Sequence, residues 1–252
     1  MAARDAIVAF LDDLLEPEGW DDYGPNGLQV PGATEVETVV TGVSAHRELF
    51  ELAVEAGAQL VLCHHGLFWG GGPSVITTAM RERLCVLFDA DASLVAYHLP
   101  LDAHPVVGNN ALLCEALGFE RGEPFGIHRG RPIGFVGRAP EGVRRAELAE
   151  RCAAALGRDP LVFDHGPDPL RTLGIVSGGG ASSFGAAVEL GLDGLLTGEP
   201  EEWAMADARE AGVNFFAAGH YATETLGVRR LGELLERELG VSHRFIPVPN
   251  PV

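Results

Sequence analysis

Residues 61–72 read VLCHHGLFWGGG, and this stretch places two adjacent histidines, His64 and His65, at the end of an apolar run. A β-strand sends successive side chains to opposite faces, so neighbouring residues cannot both serve one core. The glycine-rich residues that follow are typical of a turn, which indicates that the strand ends at the pair. Each imidazole is then directed at a different partner, or the pair lies on a solvated loop.

The bulk composition indicates a globular chain with a large negative charge. Of its 252 residues, 46% are hydrophobic and 21% are charged, which is enough for one large or two modest packed domains. The 36 acidic and 18 basic residues give a formal net charge of −18. Such a surface repels phosphate backbones and attracts cations, so a nucleic-acid partner is unlikely on this ground.

Targeting and redox signals are those of a cytoplasmic protein. The N-terminal residues 1–15 mix charged and apolar residues at helical spacing and lack the apolar core of a signal peptide. No apolar stretch approaches the ~18 residues of a membrane span. The four isolated cysteines form neither a disulfide framework nor a CxxC zinc motif, which predicts reduced thiols at Cys63, Cys85, Cys114 and Cys152.

Helical and strand patterns alternate along the chain. Amphipathic helices are predicted at 3–15 and 46–57, and strands at 38–44, 59–63 and 93–98. Strands that are separated by helices of this length predict βαβ units. The chain is therefore expected to have an α/β fold with mainly parallel sheets flanked by helices.

Two pairs of segments suggest an internal repeat. Residues 53–66 align without a gap with residues 187–200, and residues 96–102 align with residues 218–224. The second alignment places His98 on His220 and Asp102 on Glu224, as two copies of an H-x3-[DE] motif. We therefore expect a pseudo-duplication of two similar α/β halves, with a metal site in the crevice between them.

The expected boundaries follow from these alignments. The first half takes in residues 1–125, and the second takes in residues 126–223, beginning with a glycine- and arginine-rich stretch at 126–140 that predicts a hairpin or a linking strand. The C-terminal helix and strand at 224–252 are expected to pack back on the first half.

Titratable side chains concentrate where the predicted strands end, which is where ligands collect in parallel α/β sheets. The candidates are His64, His65, His98, Asp102, Glu199, His220 and Glu224. Nitrogen and oxygen ligands without thiolates suit zinc, iron, manganese or nickel. Two ions about 3.5–4 Å apart would let the adjacent histidines bind one ion each, with carboxylates bridging them.

Other roles stay open for several of these residues. Asp102 follows a proline and fits a turn, and Glu224 fits the first turn of a helix, where the dipole favours an acid. Gly178, Gly179 and Gly180 join a strand to a helix, where backbone N–H groups can bind a phosphate or simply form a tight turn. Residues 66–73, with Phe68 and Trp69, fit either an apolar wall or lid over a ligand or ordinary core packing.

Five long motifs carry a resemblance to a known family. They are DYGPNGLQVPG (22–32), CHHGLFWGG (63–71), YHLPLDAHPVVGNN (97–110), VSGGGASS (176–183) and GHYATETLGVRRL (219–231). In this order they resemble the bacterial dinuclear-metal proteins labelled GTP cyclohydrolase I type 2, homologues of the yeast NGG-interacting factor. The chain has the length of the short bacterial form, which lacks the extra middle domain of longer members.

The resemblance implies a ligand set and an assembly. The family's metal ligands fall on His64, His65, Asp102, His220 and Glu224, which would bind two divalent ions per chain. His98 stays near the ions, either as a residue that holds a ligand or as a general acid or base. The family further implies a ring-shaped homohexamer with the metal sites facing its cavity.

The resemblance also implies an activity, a cytoplasmic metal-dependent hydrolase that opens the purine ring of GTP or acts on a related small molecule. A bound divalent ion lowers the pKa of its water towards ~7, which supplies hydroxide at neutral pH. The alternatives are a non-catalytic metal-handling protein and an interaction scaffold with structural metals. Five ligands for two ions leave coordination positions open, which favours catalysis or ion exchange over a structural role.

Overall fold

The computed structural model describes residues 1–70 and 75–252, and the chain folds into two compact units. The first unit comprises Met1–Leu101 and Gly227–Pro249, and the second comprises Asp102–Leu226 and Asn250–Val252. The chain therefore enters the second unit directly before Asp102 and returns to the first unit shortly after Glu224.

The elements of the first unit begin at the N-terminus. They are β1 (Ala2–Ala3), α1 (Arg4–Leu15), β2 (Gly27–Val30), β3 (Glu35–Val36), β4 (Thr38–Ser44), α2 (Arg47–Glu55), β5 (Leu60–His65), α3 (Thr78–Asp89) and β6 (Ser93–Ala96). A short helix, α4 (Leu99–Ala103), follows and contains the division between the units.

The second unit continues from there. Its elements are α5 (Asn109–Ala116), β7 (Glu120–His128), β8 (Arg131–Val143), α6 (Arg145–Leu156), β9 (Leu161–Phe163), β10 (Leu170–Ile175), a 3-10 turn (Gly180–Ser183), α7 (Phe184–Glu189), β11 (Gly194–Thr197), α8 (Ala204–Ala211), β12 (Asn214–Ala217) and α9 (His220–Thr223). The chain then forms α10 (Thr225–Leu239) and β13 (Ser242–Phe245).

The first sheet has the strand order β13-β4-β5-β6-β2. Its first four strands are parallel and β2 adds an antiparallel edge. The residues of β5 before its last are fully buried, as expected for a parallel strand covered on both faces. Leu49 and Phe50 of α2 pack against Val40, Val61 and Leu94 of the sheet.

The second sheet has the strand order β7-β8-β10-β11-β12-β9. Only β10, β11 and β12 are mutually parallel, and β8 and β9 flank them in antiparallel pairing. The β7–β8 hairpin closes through Arg129 and Gly130, both at positive φ, which is the turn geometry that suits a two-residue hairpin. Both sheets are mixed, so the α/β class is confirmed and the prediction of mainly parallel sheets is not.

The expected duplication is not confirmed, although the two motifs occupy comparable places. Three successive parallel strands, β4–β5–β6 in one unit and β10–β11–β12 in the other, each precede an H-x3-[DE] segment. The long β7–β8 hairpin of the second sheet has no equivalent in the first sheet.

The observed division at Leu101 differs from the predicted boundary at residue 125. The cause lies in α5, whose Leu113 and Cys114 pack with Phe119 and Phe135 in the core of the second unit. At the other end of the chain, β13 pairs with β4, so the segment from Gly227 belongs to the first unit.

Two negative findings concern the described residues. Within residues 1–70 and 75–252, no helix combines the length and apolarity needed to cross a membrane. All four cysteines are free thiols: Cys63, Cys114 and Cys152 are buried, and Cys85 is half-buried. Burial raises the pKa of Cys114 and of Cys152 to about 12, which keeps both thiols protonated.

Candidate metal centre

The histidine pair forms the carboxyl end of β5. His64 is fully buried and His65 is half-buried, and β5 runs between β4 and β6 up to His65. The ring centroids of the two histidines lie 4.8 Å apart. The two imidazoles are therefore close neighbours, although they are adjacent in sequence at the end of a strand.

The Nδ1 atom of each ring is held by an outer partner. His64 Nδ1 lies 2.9 Å from the carbonyl oxygen of Tyr97, and His65 Nδ1 lies 3.1 Å from the hydroxyl oxygen of Ser44. A carbonyl oxygen only accepts hydrogen bonds, so His64 Nδ1 carries a proton, and in the neutral ring the lone pair is on Nε2. This is the tautomer that a metal-ligating histidine needs.

His98 joins the pair from the segment after β6. Its Nδ1 lies 2.6 Å from Asp22 Oδ1, and one ring nitrogen from each of His64, His65 and His98 lies within 4.8 Å of the others. This group of imidazoles, all within the first unit, could hold a metal ion. His98 therefore lies within ligand distance of His64 and His65.

Hydrogen-bond donors from several segments hold the Asp22 carboxylate in place. Besides His98, its carboxylate accepts from the backbone N–H groups of Tyr23 and Leu99 and from the side-chain amide of Asn26. Burial raises the pKa of this carboxyl, but the hydrogen bonds and the interaction with His98 outweigh it and lower the pKa from 3.8 to about 2. Asp22 therefore stays ionised and orients the His98 ring.

Asp102 is held in the same manner in the second unit. Its side chain is only 4% exposed, and Oδ1 accepts from Asn109 Nδ2 at 2.9 Å and from Ser177 Oγ at 3.0 Å. Asn110 links this group together, because its side chain donates to the carbonyl of Asp102 and accepts from the N–H of Ser177. The orientation of the carboxylate is thus fixed.

His220 lies between two carboxylates of the second unit. Its Nδ1 hydrogen-bonds with Glu199, and its Nε2 lies 3.2 Å from Oε1 of Glu224, which is 2% exposed. Burial lowers the pKa of His220, but Glu224 and then Glu199 raise it to about 9 overall. Glu199, a candidate ligand by sequence, is the partner that orients the His220 ring.

Two of the three glycine N–H groups at 178–180 are engaged within the fold, and anion binding by this turn stays a prediction. The Gly178 and Gly180 N–H groups donate to the hydroxyls of Thr223 and Thr197, at 3.0 and 2.9 Å. Gly178 also has a steric role, because a Cβ at this position would overlap Glu224 Oε1 and lie 3.0 Å from His220 Nε2. Only glycine leaves room for these two side-chain atoms.

Phe68 and Trp69 are not core residues, since 39% of each is exposed. The Trp69 ring packs edge-on against His98, with centroids 5.0 Å apart, and lies 5.5 Å from His65. This arrangement supports the predicted apolar wall. Residues 71–74, which include two of the four glycines of the predicted lid, lie outside the described residues.

Sequence reasoning missed the residues that orient the ligands. Asp22 is one acidic residue among many, Asn109 and Ser177 are not titratable, and Tyr97 meets His64 through its backbone carbonyl. The available signal was their position inside the long family motifs at 22–32, 97–110 and 176–183, to which no chemical role had been given.

Comparisons with known proteins identify a family and relatives of similar fold. The family model Duf34/NIF3 (NGG1p interacting factor 3) matches residues 2–251. A Pseudomonas aeruginosa protein named "GTP cyclohydrolase 1 type 2 homolog" is 43% identical over 249 residues, covering 99% of this chain and 98% of that protein. Two solved structures each match over 99% of this chain and 100% of theirs. Protein ybgI, described as of unknown function, is 39% identical with a TM-score of 0.93, and a Thermus thermophilus protein is 36% identical with a TM-score of 0.88.

The role of Gly178 predicts a difference between two neighbouring glycines. Gly178→Ala should weaken divalent-ion binding by at least about tenfold, because the new methyl group displaces Glu224 and His220 and the residue has a φ of +59°. Gly179→Ala is the matched control, since a Cβ there meets nothing within 4 Å. Isothermal titration with Zn2+ measures both, and equal affinities for the two variants would refute the steric role.

The Asp22–His98 pair predicts a pH-dependent contribution to stability. Since folding lowers the pKa of Asp22 from 3.8 to about 2, its stabilisation is present above pH 4 and is lost as the pH falls towards 2. Asp22→Asn turns an acceptor into a donor opposite the N–H groups of Leu99 and Asn26, which should cost about 1–3 kcal/mol at pH 7. In thermal melts of metal-free protein, the difference in melting temperature between the wild type and Asp22→Asn should become smaller below pH 4. A difference in melting temperature that stays constant down to about pH 2.5 would contradict a stabilising role of the ionised Asp22 side chain.

Proposed function

Because the chain belongs to the Duf34/NIF3 family, we propose that it is a divalent-metal-dependent hydrolase that acts on a nucleotide or a related small molecule. The name shared by its relatives, "GTP cyclohydrolase 1 type 2 homolog", indicates the reaction class. The proposed ligands of two ions are His64, His65, Asp102, His220 and Glu224. Zinc, iron, manganese and nickel all suit this donor set.

The common arrangement of the imidazoles is the observation that carries this proposal. His64, His65 and His220 each use Nδ1 for an outer partner: a backbone carbonyl, a serine hydroxyl and a carboxylate, respectively. Metal-ligating histidines almost always engage their second ring nitrogen in this way, because the hydrogen bond fixes both the tautomer and the ring orientation. A histidine with a purely structural role has no such requirement.

The buried carboxylates support the same proposal. Asp102 is 4% exposed and Glu224 is 2% exposed. An ionised carboxylate in such a place costs several kcal/mol unless cations or hydrogen-bond donors compensate it. Bound dications would supply the compensation, and a chain with a net charge of −18 favours their arrival.

The ions would supply a coordinated water with a pKa lowered towards ~7, and hence hydroxide at neutral pH. The chain's own residues would then orient and balance the reacting groups. Asn109 and Ser177 hold the Asp102 carboxylate, and Glu199 keeps the lone pair of His220 on Nε2. His98, anchored by Asp22, is the proposed carrier of a proton to or from the substrate.

The setting of this activity is also part of the proposal. We place the protein in the cytoplasm as a ring-shaped homohexamer, as the family resemblance implies, with a small molecule and not nucleic acid as its partner. The acidic surface supports the exclusion of nucleic acid. Size-exclusion chromatography with light scattering tests the assembly by its mass, because a hexamer has six times the mass of the 26.7 kDa chain.

The first prediction from this proposal concerns metal content. Protein purified without chelator and dialysed against Zn2+ should hold two equivalents per chain by elemental analysis. The double variant His64→Ala, His65→Ala should lose most of the metal, because it removes two of the five ligands. His165→Ala, a half-buried histidine outside both motifs, is the control and should keep its metal. Wild-type protein without bound metal after this treatment would refute the proposal.

The second prediction concerns turnover. Glu224→Gln keeps the shape of the side chain but removes a charge that balances the ions, so hydrolysis across a panel of guanine and adenine nucleotides should fall by orders of magnitude. The metal-free variant should still fold, because His220 can release its proton when Glu224 no longer stabilises it. Exposed Glu201→Gln is the control.

Two results would overturn parts of this proposal. Full metal content and activity in Glu224→Gln would refute the role of Glu224 as a ligand. Wild-type protein with two ions and no turnover of any nucleotide would favour the alternative, a metal-handling protein or a scaffold with structural metals.

A further inference from the structure

A shallow recess opens beside the histidines of the first unit, and the space that it encloses, about 10 Å3, is roughly that of one water molecule. Its lining includes Asn26, His64, Phe68, Trp69 and His98. Pockets that enclose a drug-sized ligand have volumes of about 300–1,000 Å3. The recess encloses far less than this, so a bound molecule would lie over it, against its exposed aromatic side chains.

The two aromatic residues of the lining are kept at the surface. Both Phe68 and Trp69 are 39% exposed, and exposed aromatic surface beside polar groups is typical of a binding site. The Trp69 ring contacts His98 and His65, and it lies 6.0 Å from the ring of Tyr23. A planar ligand stacked on Trp69 would therefore lie next to the imidazoles of the candidate metal centre.

The backbone that carries these aromatics is fixed on the neighbouring loop. The N–H of Gly70 donates to the carbonyl of Tyr23, and the N–H of Leu67 donates to Oε1 of Gln29 at 2.8 Å. Gly24 lies so close to the carbonyl oxygen of Phe68 that a Cβ would overlap it. The wall is thus held in place before any ligand arrives, which lowers the ordering cost of binding.

Among the described residues, the lining offers no lysine or arginine side chain for a phosphate chain. It contains no arginine among the described residues, and the whole sequence contains no lysine. The side-chain amides of Asn26 and Gln29 already donate, to Asp22 and to the carbonyl of Pro25. Phosphates are bound by cationic side chains or by clustered backbone N–H groups, and the two glycine amides at 178 and 180 are also engaged.

We propose that this recess binds the planar, uncharged heteroaromatic ring of the substrate by stacking on Trp69. The ring, and not a triphosphate, then selects the substrate, so free bases and nucleosides are recognised as well as nucleotides. This inference rests on the proposed function, because it names the substrate class of the same centre.

Isothermal titration of metal-loaded protein with hypoxanthine, guanosine and GTP tests the inference. Hypoxanthine and guanosine should bind with affinities within about tenfold of each other, and GTP should bind no more than about tenfold tighter than guanosine. Trp69→Leu should weaken all three by about tenfold or more, as expected for the loss of one stacked base, while Trp69→Phe should recover part of the affinity. Trp203→Phe, in the second unit, is the control and should bind like the wild type.

The outcomes separate this inference from the proposed function. The metal content of Trp69→Leu, measured in parallel, should equal that of the wild type, since Trp69 is not a proposed ligand. GTP binding without guanosine or hypoxanthine binding, or ring binding that does not depend on Trp69, would overturn the inference and leave the metal proposal intact. Ring binding that depends on Trp69 in a protein that holds no metal would support the inference and refute the proposed function.

Discussion

The hydrogen bond between the His64 ring and the carbonyl oxygen of Tyr97 ties the chemistry of the first unit to the register of its sheet. His64 lies at the end of β5 and Tyr97 directly after β6, and the pairing of Cys63 with Ala96 sets the two residues side by side. Because the carbonyl accepts the Nδ1 proton, the ligand lone pair falls on Nε2. A shift of one residue in this register would turn His64 to the other face of the sheet and remove the bond.

In the second unit a histidine is also oriented through its Nδ1 atom, but the partner is a side-chain carboxylate and not a backbone carbonyl. Glu199 follows β11 and His220 follows β12, and these neighbouring parallel strands bring the carboxylate to Nδ1 of the ring. In both units, a residue that follows one strand orients a histidine at the end of, or just after, the neighbouring parallel strand. Parallel pairing is what makes this possible, because it collects the carboxyl ends of successive strands at one edge of the sheet.

The features that depend on local pattern could be predicted from the sequence. The apolar run before His64 predicts a buried strand, and the two H-x3-[DE] motifs identify His98, Asp102, His220 and Glu224 as candidates. Both motifs do follow the last of three parallel strands. Local patterns were also sufficient for a hairpin at 126–140, but not for the mixed sheets, since the direction in which a hairpin joins a sheet depends on tertiary pairing.

Contacts between residues that are distant in sequence could not be predicted from one sequence. Asp22 reaches His98 from 76 positions away, and Ser177 reaches Asp102 from 75 positions away. Neither Asp22 nor Ser177 lies at a spacing that predicts its partner. The role of Gly178 is likewise invisible, because the need for a missing Cβ arises from Glu224 and not from the glycine's own neighbours.

The pair of carboxylates around His220 explains how the second unit tolerates a buried acid before any ion binds. At neutral pH the raised pKa of about 9 keeps His220 protonated, and this charge compensates Glu224, which is almost fully buried. An ion that takes Nε2 must displace the proton, so ion binding becomes weaker as the pH falls. The carboxylates attract a dication more strongly than they attract a single proton charge, because the Coulomb energy scales with the charge. The His220 proton therefore compensates one of the two carboxylates before an ion arrives, and a bound dication would compensate both.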